Sequence, residues 1–271
     1  MFGLGKAPER QSDEYPRWER RLFSKLRDEI GTLELLGPKT SLDELGHLNI
    51  QAKGPLPLPS MLTQAPQKQQ FDHIWILAAS LGGPAAVKDF LDQLPEGLPV
   101  SFIYAQHIDA NFSSVLSKVL ARHSNFQLKE AQEGDRLENG QVLMVPVDRE
   151  MILDDQGKVQ FKNTAWPGPY GPSIDQVMIN IANQYGSKCN VIVFSGMGND
   201  GAIAAPLLKA YGCNIWVQSP DSCANSSMPD AVEATGCSSF TGNPVQLAAH
   251  LITSIEQERV LSGRNTHTGQ Q

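Results

Sequence analysis

Three short blocks of the sequence hold side chains of complementary chemistry. In Ala78-Ala79-Ser80-Leu81-Gly82-Gly83 a serine sits among small residues at the end of an apolar run. Such neighbours let the chain turn sharply, lifting the hydroxyl clear and turning backbone N–H groups toward whatever it attacks. In Gln106-His107-Ile108-Asp109 an imidazole follows a second apolar run, and in Ser195-Gly196-Met197-Gly198-Asn199-Asp200-Gly201 a carboxylate sits in a glycine-dense loop after a third. Hydroxyl, imidazole and carboxylate are the minimal parts of an activated nucleophile for acyl transfer. The imidazole takes the hydroxyl proton, and the carboxylate orients the imidazole and stabilises its cation.

Each block also has a plainer reading. The turn at Gly82 and Gly83 could cradle a nucleotide phosphate, although it is not a Gly-x-Gly-x-x-Gly turn and no Gly-Lys is followed by Ser or Thr. A histidine at a strand end can be structural, and Asp200 could cap the helix that follows it. The chain order Ser, His, Asp differs from the Ser, Asp, His order of α/β-hydrolases, so that fold is not expected.

Elements that alternate along the chain must bring these blocks together. Ile74–Ala79, Val100–Ala105, Val191–Phe194 and Asn214–Val217 read as buried strands. Between and after them, 84–94, 112–123, 174–185, 201–211 and 245–257 carry helical patterns. The alternation predicts an α/β fold, a doubly wound and mostly parallel sheet with helices on both faces and ligand chemistry at the carboxyl ends of its strands. Residues 141–162 break the rhythm. Val142–Val145, a turn at Asp154–Gly157 and Val159–Phe161 predict an inserted β-hairpin.

Four segments follow from composition. Residues 1–53 form a helical lead, with an amphipathic helix through Trp18, Leu22, Leu26, Ile30 and Leu33 and a short second helix over Leu42–Leu48. Residues 54–70 are rich in Pro and Gln and read as a linker, 71–258 as the main domain, and 259–271 as a polar flexible tail. Of 271 residues, 22 are Lys or Arg and 29 are Asp or Glu, giving a formal charge of −7. Residues 1–70 are nearly balanced, so the acidic excess lies in the main domain and argues against nucleic acid as a partner. No run of apolar residues is long enough to insert in a membrane and the start has no secretory signal pattern, so a cytoplasmic protein is expected. Cys189, Cys213, Cys223 and Cys237 form no C-x-x-C pair and read as reduced thiols rather than a disulfide framework or metal site.

With these blocks in view, the sequence from about Ile74 to Ile255 resembles the catalytic domain of the CheB family, chemotaxis-receptor protein-glutamate methylesterases that also deamidate glutamine. The resemblance rests on ordered blocks: Ala-Ser80-x-Gly-Gly, Gln106-His107, Glu133-Gly-Asp-x-Leu with Gly140-x-Val, Pro172-Ser-Ile-Asp175, Ser195-Gly-Met-Gly-x-Asp-Gly201, Ser222-Cys223 and Met228-Pro229. It implies a catalytic triad of Ser80, His107 and Asp200, with the backbone N–H groups of Leu81 and Met197 holding the oxyanion. It also implies a substrate-side loop through Ser222, Cys223 and Met228, although the favoured reading of Cys223 by itself is a small packing residue. No cofactor or metal is implied. The implied partners are cytoplasmic receptor helices, with a histidine kinase or other chemosensory components beside them.

The sequence departs from the family pattern at several points. Ala78 stands for the usual Gly, Leu81 for Thr, Asp109 for Pro and Asn199 for Arg, while Ala224–Ser227 replace apolar residues and Gly. Family members usually begin with a phosphorylatable receiver domain, which residues 1–53 do not match. These departures keep open a second expectation, an adaptor that binds receptors on the esterase fold without turnover.

Overall fold

In Ile74–Ala79 and Ser101–Gln106 every residue is buried, a pattern that suits a strand covered on both faces of a parallel sheet. The structure is a computed structural model that describes residues 54–63, 73–122 and 124–267, with 262–267 as backbone only. The strands are β1 (Ile74–Ala79), β2 (Ser101–Gln106), β3 (Gln127–Glu130), β4 (Gln141–Met144), β5 (Met151–Leu153), β6 (Val159–Phe161), β7 (Cys189–Val193), β8 (Ile215–Gln218) and β9 (Phe240–Gly242). The helices are α1 (Gly83–Leu91), α2 (Ser113–Ala121), α3 (Ile174–Tyr185), α4 (Ala205–Ala210), α5 (Ser227–Glu233) and α6 (Pro244–His267).

Seven strands form one parallel sheet in the order β3-β4-β2-β1-β7-β8-β9, and β5 with β6 makes a separate antiparallel hairpin. Alternate residues of each strand serve opposite faces. Ile74, Ile76, Ala78, Ile103, Ala105, Val191 and Val193 pack with Ile174, Val177, Met178 and Ile181 of α3 and with α4 and α5. The opposite face is aromatic. Trp75 lies against Trp216, and Phe90 of α1 meets Phe102 and Phe194 edge-on, beneath α1 and α6. Chain direction splits at β1, which has β2 on one side and β7 on the other. A crevice is expected at such a switch point, outside the carboxyl ends of the strands.

Four differences from expectation have physical causes. All of Gln141–Met144 is buried, Gln141 included, because β4 is an interior strand between β2 and β3. The hairpin therefore pairs Met151–Leu153 with Val159–Phe161. The expected turn remains, with Asp154 Oδ1 accepting from the amides of Gln156 and Lys158. Within the expected linker, residues 54–63 lie against the domain: the Leu56 amide donates to the Gln93 carbonyl at 2.8 Å, and Leu62 is 1% exposed. Proline withholds its own donors, but the leucines between still seek burial. The polar residues from 259 onward continue α6 to His267 rather than forming a free tail. The expected helices within 1–53, the rest of the linker and the last four residues lie outside the described residues.

Among the described residues no helix is long and apolar enough to cross a membrane.

Candidate active site

Register brings the three blocks to one edge. Ala79 is level with Gln106, and Ala78 with Val193, so Ser80 and His107 are the next residues out from neighbouring strands, whose backbones run about 4.8 Å apart. The Ser80 amide donates to the Ser195 carbonyl (3.1 Å) and the His107 amide to the Ala79 carbonyl (3.0 Å). Beyond Ser80 the chain reverses through Gly82 at φ +77° into α1, whose second residue is Pro84. A Cβ on Gly82 would stand 2.4 Å from the Ala224 Cβ and 2.7 Å from Ser195 Oγ, so only glycine passes beneath that loop. Among the described residues the Ser80 hydroxyl has no hydrogen-bond partner.

His107 and Asp200 are directly joined, Nε2 to Oδ2 at 2.9 Å. Asp200 is buried, and its carboxylate also accepts the Ile174 amide on Oδ2 and the Asp175 amide on Oδ1, both at 2.8 Å. It therefore does cap a helix, as its plainer reading allowed, but α3 rather than the helix that follows it. Burial pushes this carboxyl up, yet the bonds from His107, Asp175 and Ile174 outweigh that and hold it below its ordinary value. Because a carboxylate only accepts, Nε2 carries the proton and the neutral ring presents its lone pair on Nδ1. The other face of the imidazole is covered by Tyr170, stacked at 4.7 Å between centroids and 17° between planes.

The two backbone amides singled out as oxyanion donors have no acceptor among the described residues. Met197 lies on an exposed loop whose preceding carbonyl, Gly196 O, accepts from the Met228 amide (3.0 Å) and from Ser227 Oγ (3.2 Å). A trans peptide is planar with C=O and N–H opposed, so anchoring Gly196 O aims the Met197 N–H the other way. Gly196 has no room for a side chain either, since its Cβ would lie 2.7 Å from Met228 Sδ and 2.9 Å from Ser80 Cβ.

The loop after β8 supports the site from behind. Met228 is fully buried against Gly196, so it is a prop and not a substrate contact. Ser222 accepts from Gln218 Nε2 and donates to the Ser219 carbonyl, and Gln218 Oε1 in turn accepts the Ser195 amide. Half-buried Cys223 has its thiol pushed up to about 11, first by burial and then by Asp230 and Asp221, which makes it a packing group rather than a nucleophile.

Two contributors escaped sequence reading. Tyr170 lies 63 positions from His107, in a Gly- and Pro-rich stretch with no periodicity to flag it. Buried Ser195, which looked like part of a glycine loop, donates its hydroxyl to the Leu81 carbonyl at 2.8 Å and accepts the Asn225 amide at 3.0 Å, binding three loops together.

The CheB methylesterase family profile matches residues 75–251. A relative from Saccharophagus degradans, named protein-glutamate methylesterase/protein-glutamine glutaminase 1, is 37% identical over 68% of this chain and 51% of its own. One from Pseudoalteromonas translucida with the corresponding name is 33% identical over 66% of this chain and 47% of its own. The chain thus spans about half the length of the relatives it matches. The crystal structure of the Thermotoga maritima CheB methylesterase catalytic domain superposes with a TM-score of 0.64 at 27% identity, covering 67% of this chain and 97% of that one. A parallel sheet wound in both directions from β1, its likeness to a solved CheB catalytic domain and a family profile over most of the described residues lead to one assignment: this chain belongs to the CheB methylesterase family.

Proposed function

We propose that the protein hydrolyses glutamyl methyl esters on the cytoplasmic helices of chemotaxis-type receptors. The observation that carries this reading is the buried Asp200 carboxylate holding His107 Nε2, with Ser80 at the adjacent strand end. Ser80 Oγ attacks the ester carbonyl while His107 Nδ1 takes its proton. The charge that develops on the carbonyl oxygen meets the Leu81 and Met197 amides, each such donor contributing about 3 kcal/mol in enzymes of this kind. Collapse expels methoxide, which leaves as methanol with the proton from His107. Water then attacks the acyl-enzyme with His107 again as base, and the serine departs protonated, leaving a glutamate carboxylate. The steps use side chains, backbone amides and water, so no cofactor is required.

Deamidation of receptor glutamine uses the same groups with ammonia as the poorer leaving group, and the names of the relatives support it as a second activity.

Methanol release from methylated receptors tests the assignment. Ser80→Ala is expected to abolish it, together with labelling by a fluorophosphonate probe. Release at near the wild-type rate from Ser80→Ala sinks the reading, and a wild-type protein that binds receptors without labelling or turnover favours an adaptor.

A further inference from the structure

Ser80 O, the carbonyl of the peptide that carries the Leu81 N–H, accepts two hydrogen bonds. One comes from the Gly83 amide at 2.9 Å and is part of the turn itself. The other comes from Gln106 Nε2, also at 2.9 Å. The second hydrogen of the same amide goes to the His107 carbonyl at 2.9 Å. One side chain therefore ties the serine turn to the loop that carries the histidine.

The direction of the Gln106 amide is itself set. Its Oε1 accepts from Tyr104 Oη at 2.7 Å. Tyr104 and Gln106 are two apart on β2 and so share the aromatic face of the sheet, where they are 0% and 4% exposed. A flipped amide would set Oε1 against two carbonyl oxygens, so both of the bonds that Nε2 donates would be lost. Burial drives the Tyr104 phenol far above its ordinary value, so it stays a donor throughout the working range. Gly83 makes room for the arrangement, because a Cβ there would stand 2.9 Å from Gln106 Oε1.

We propose that Tyr104 and Gln106 are a positioning pair for the acyl transfer: the phenol orients the Gln106 amide, and the amide fixes the Ser80–Leu81 peptide plane, so that the Leu81 N–H faces the developing oxyanion while the His107 loop is held beside it. This rests on the reading of Ser80 as nucleophile. It also gives the two oxyanion donors a common construction, since Gly196 O is anchored ahead of Met197 as Ser80 O is ahead of Leu81.

The test uses Gln106→Met, which keeps length but cannot donate, Tyr104→Phe, which removes one oxygen, and the double variant. The readouts are the fluorophosphonate labelling rate, kcat and KM on p-nitrophenyl acetate, and the melting temperature. Gln106→Met is expected to lower labelling and kcat by about 10- to 100-fold with little change in KM, as befits a misaimed rather than deleted oxyanion donor. Tyr104→Phe should lose about 3- to 10-fold, and the double variant no more than Gln106→Met alone, because the phenol acts only through the amide. Labelling of folded Gln106→Met at the wild-type rate overturns the proposal, as does a double variant that loses the product of the two single effects. A wild-type protein that does not label overturns the nucleophile reading and this inference with it, whereas a reactive wild type with equally reactive variants overturns the inference alone.

Discussion

On the His107 side of the site, one buried carboxylate receives three donors at 2.8 to 2.9 Å, from an imidazole and two helix amides. On the Ser80 side, the hydroxyl has no partner among the described residues, and the order lies in the backbone around it. The contrast follows from what each group must do. A buried charge has to be satisfied at all times, or its desolvation opposes folding. A nucleophilic hydroxyl has to change partners during the reaction, so the fold can hold only its frame. In the proposed reaction the carboxylate is thus structural and chemical at once, while the serine hydroxyl is chemical alone.

The largest expected effects probe that contrast directly. Asp200→Asn should lower turnover by about 10⁴-fold, the loss seen when a triad carboxylate becomes an amide. Since asparagine has one acceptor where Asp200 satisfies three donors, stability should also fall by about 1–3 kcal/mol. Ser80→Ala should match or exceed the loss of rate with an unchanged melting temperature. Equal thermal shifts in the two variants would erase the distinction between the halves.

Gly82→Ala sharpens the serine side. Its new methyl meets Ala224 and Ser195 Oγ at positive φ, so both rate and stability should drop, by about 1–3 kcal/mol for the latter. Retention of wild-type labelling by this variant would mean that the serine turn is not held from above.

The smallest effect concerns Asp175, whose Oδ1 accepts the Ala204 amide at 2.7 Å while its own amide serves Asp200. Burial foremost, and the Asp200 charge after it, hold the Asp175 carboxyl above its ordinary value. A group that binds its proton more tightly folded than unfolded supports the fold at acid pH, and that support is lost as pH rises through the folded value. Asp200 has the opposite sign, supporting the fold above its unfolded value and failing as pH falls through the lowered folded one. Asp175→Asn should therefore gain melting temperature relative to wild type as pH rises above about 3.9, the ordinary aspartate value, through the raised folded one. Parallel pH profiles would show that the two carboxylates do not share the burden in this way.

Legibility in the sequence varied with how local the cause was. Ile74–Ala79 and Ile174–Tyr185 were readable to the residue, because a run of apolar side chains and a helical period are local signals. Gln127–Glu130 was not, since only Leu128 of this edge strand is buried. Met151–Leu153 is too short for alternation to register. The Pro-rich stretch misled because backbone donors were weighed without the leucine side chains between them.

Residue chemistry and strand ends were enough to nominate Ser80, His107 and Asp200, since glycine turns after buried runs are written locally. Three matters were decided only by the fold: which nitrogen of His107 meets Asp200, that Asp200 caps α3 and not the helix it precedes, and which way the peptides ahead of Leu81 and Met197 face. The reason is geometric. A hydrogen bond needs a donor and an acceptor aligned within a few tenths of an ångström. Here the partners lie 26 to 93 positions apart, brought together by parallel register and helix packing that no local pattern encodes.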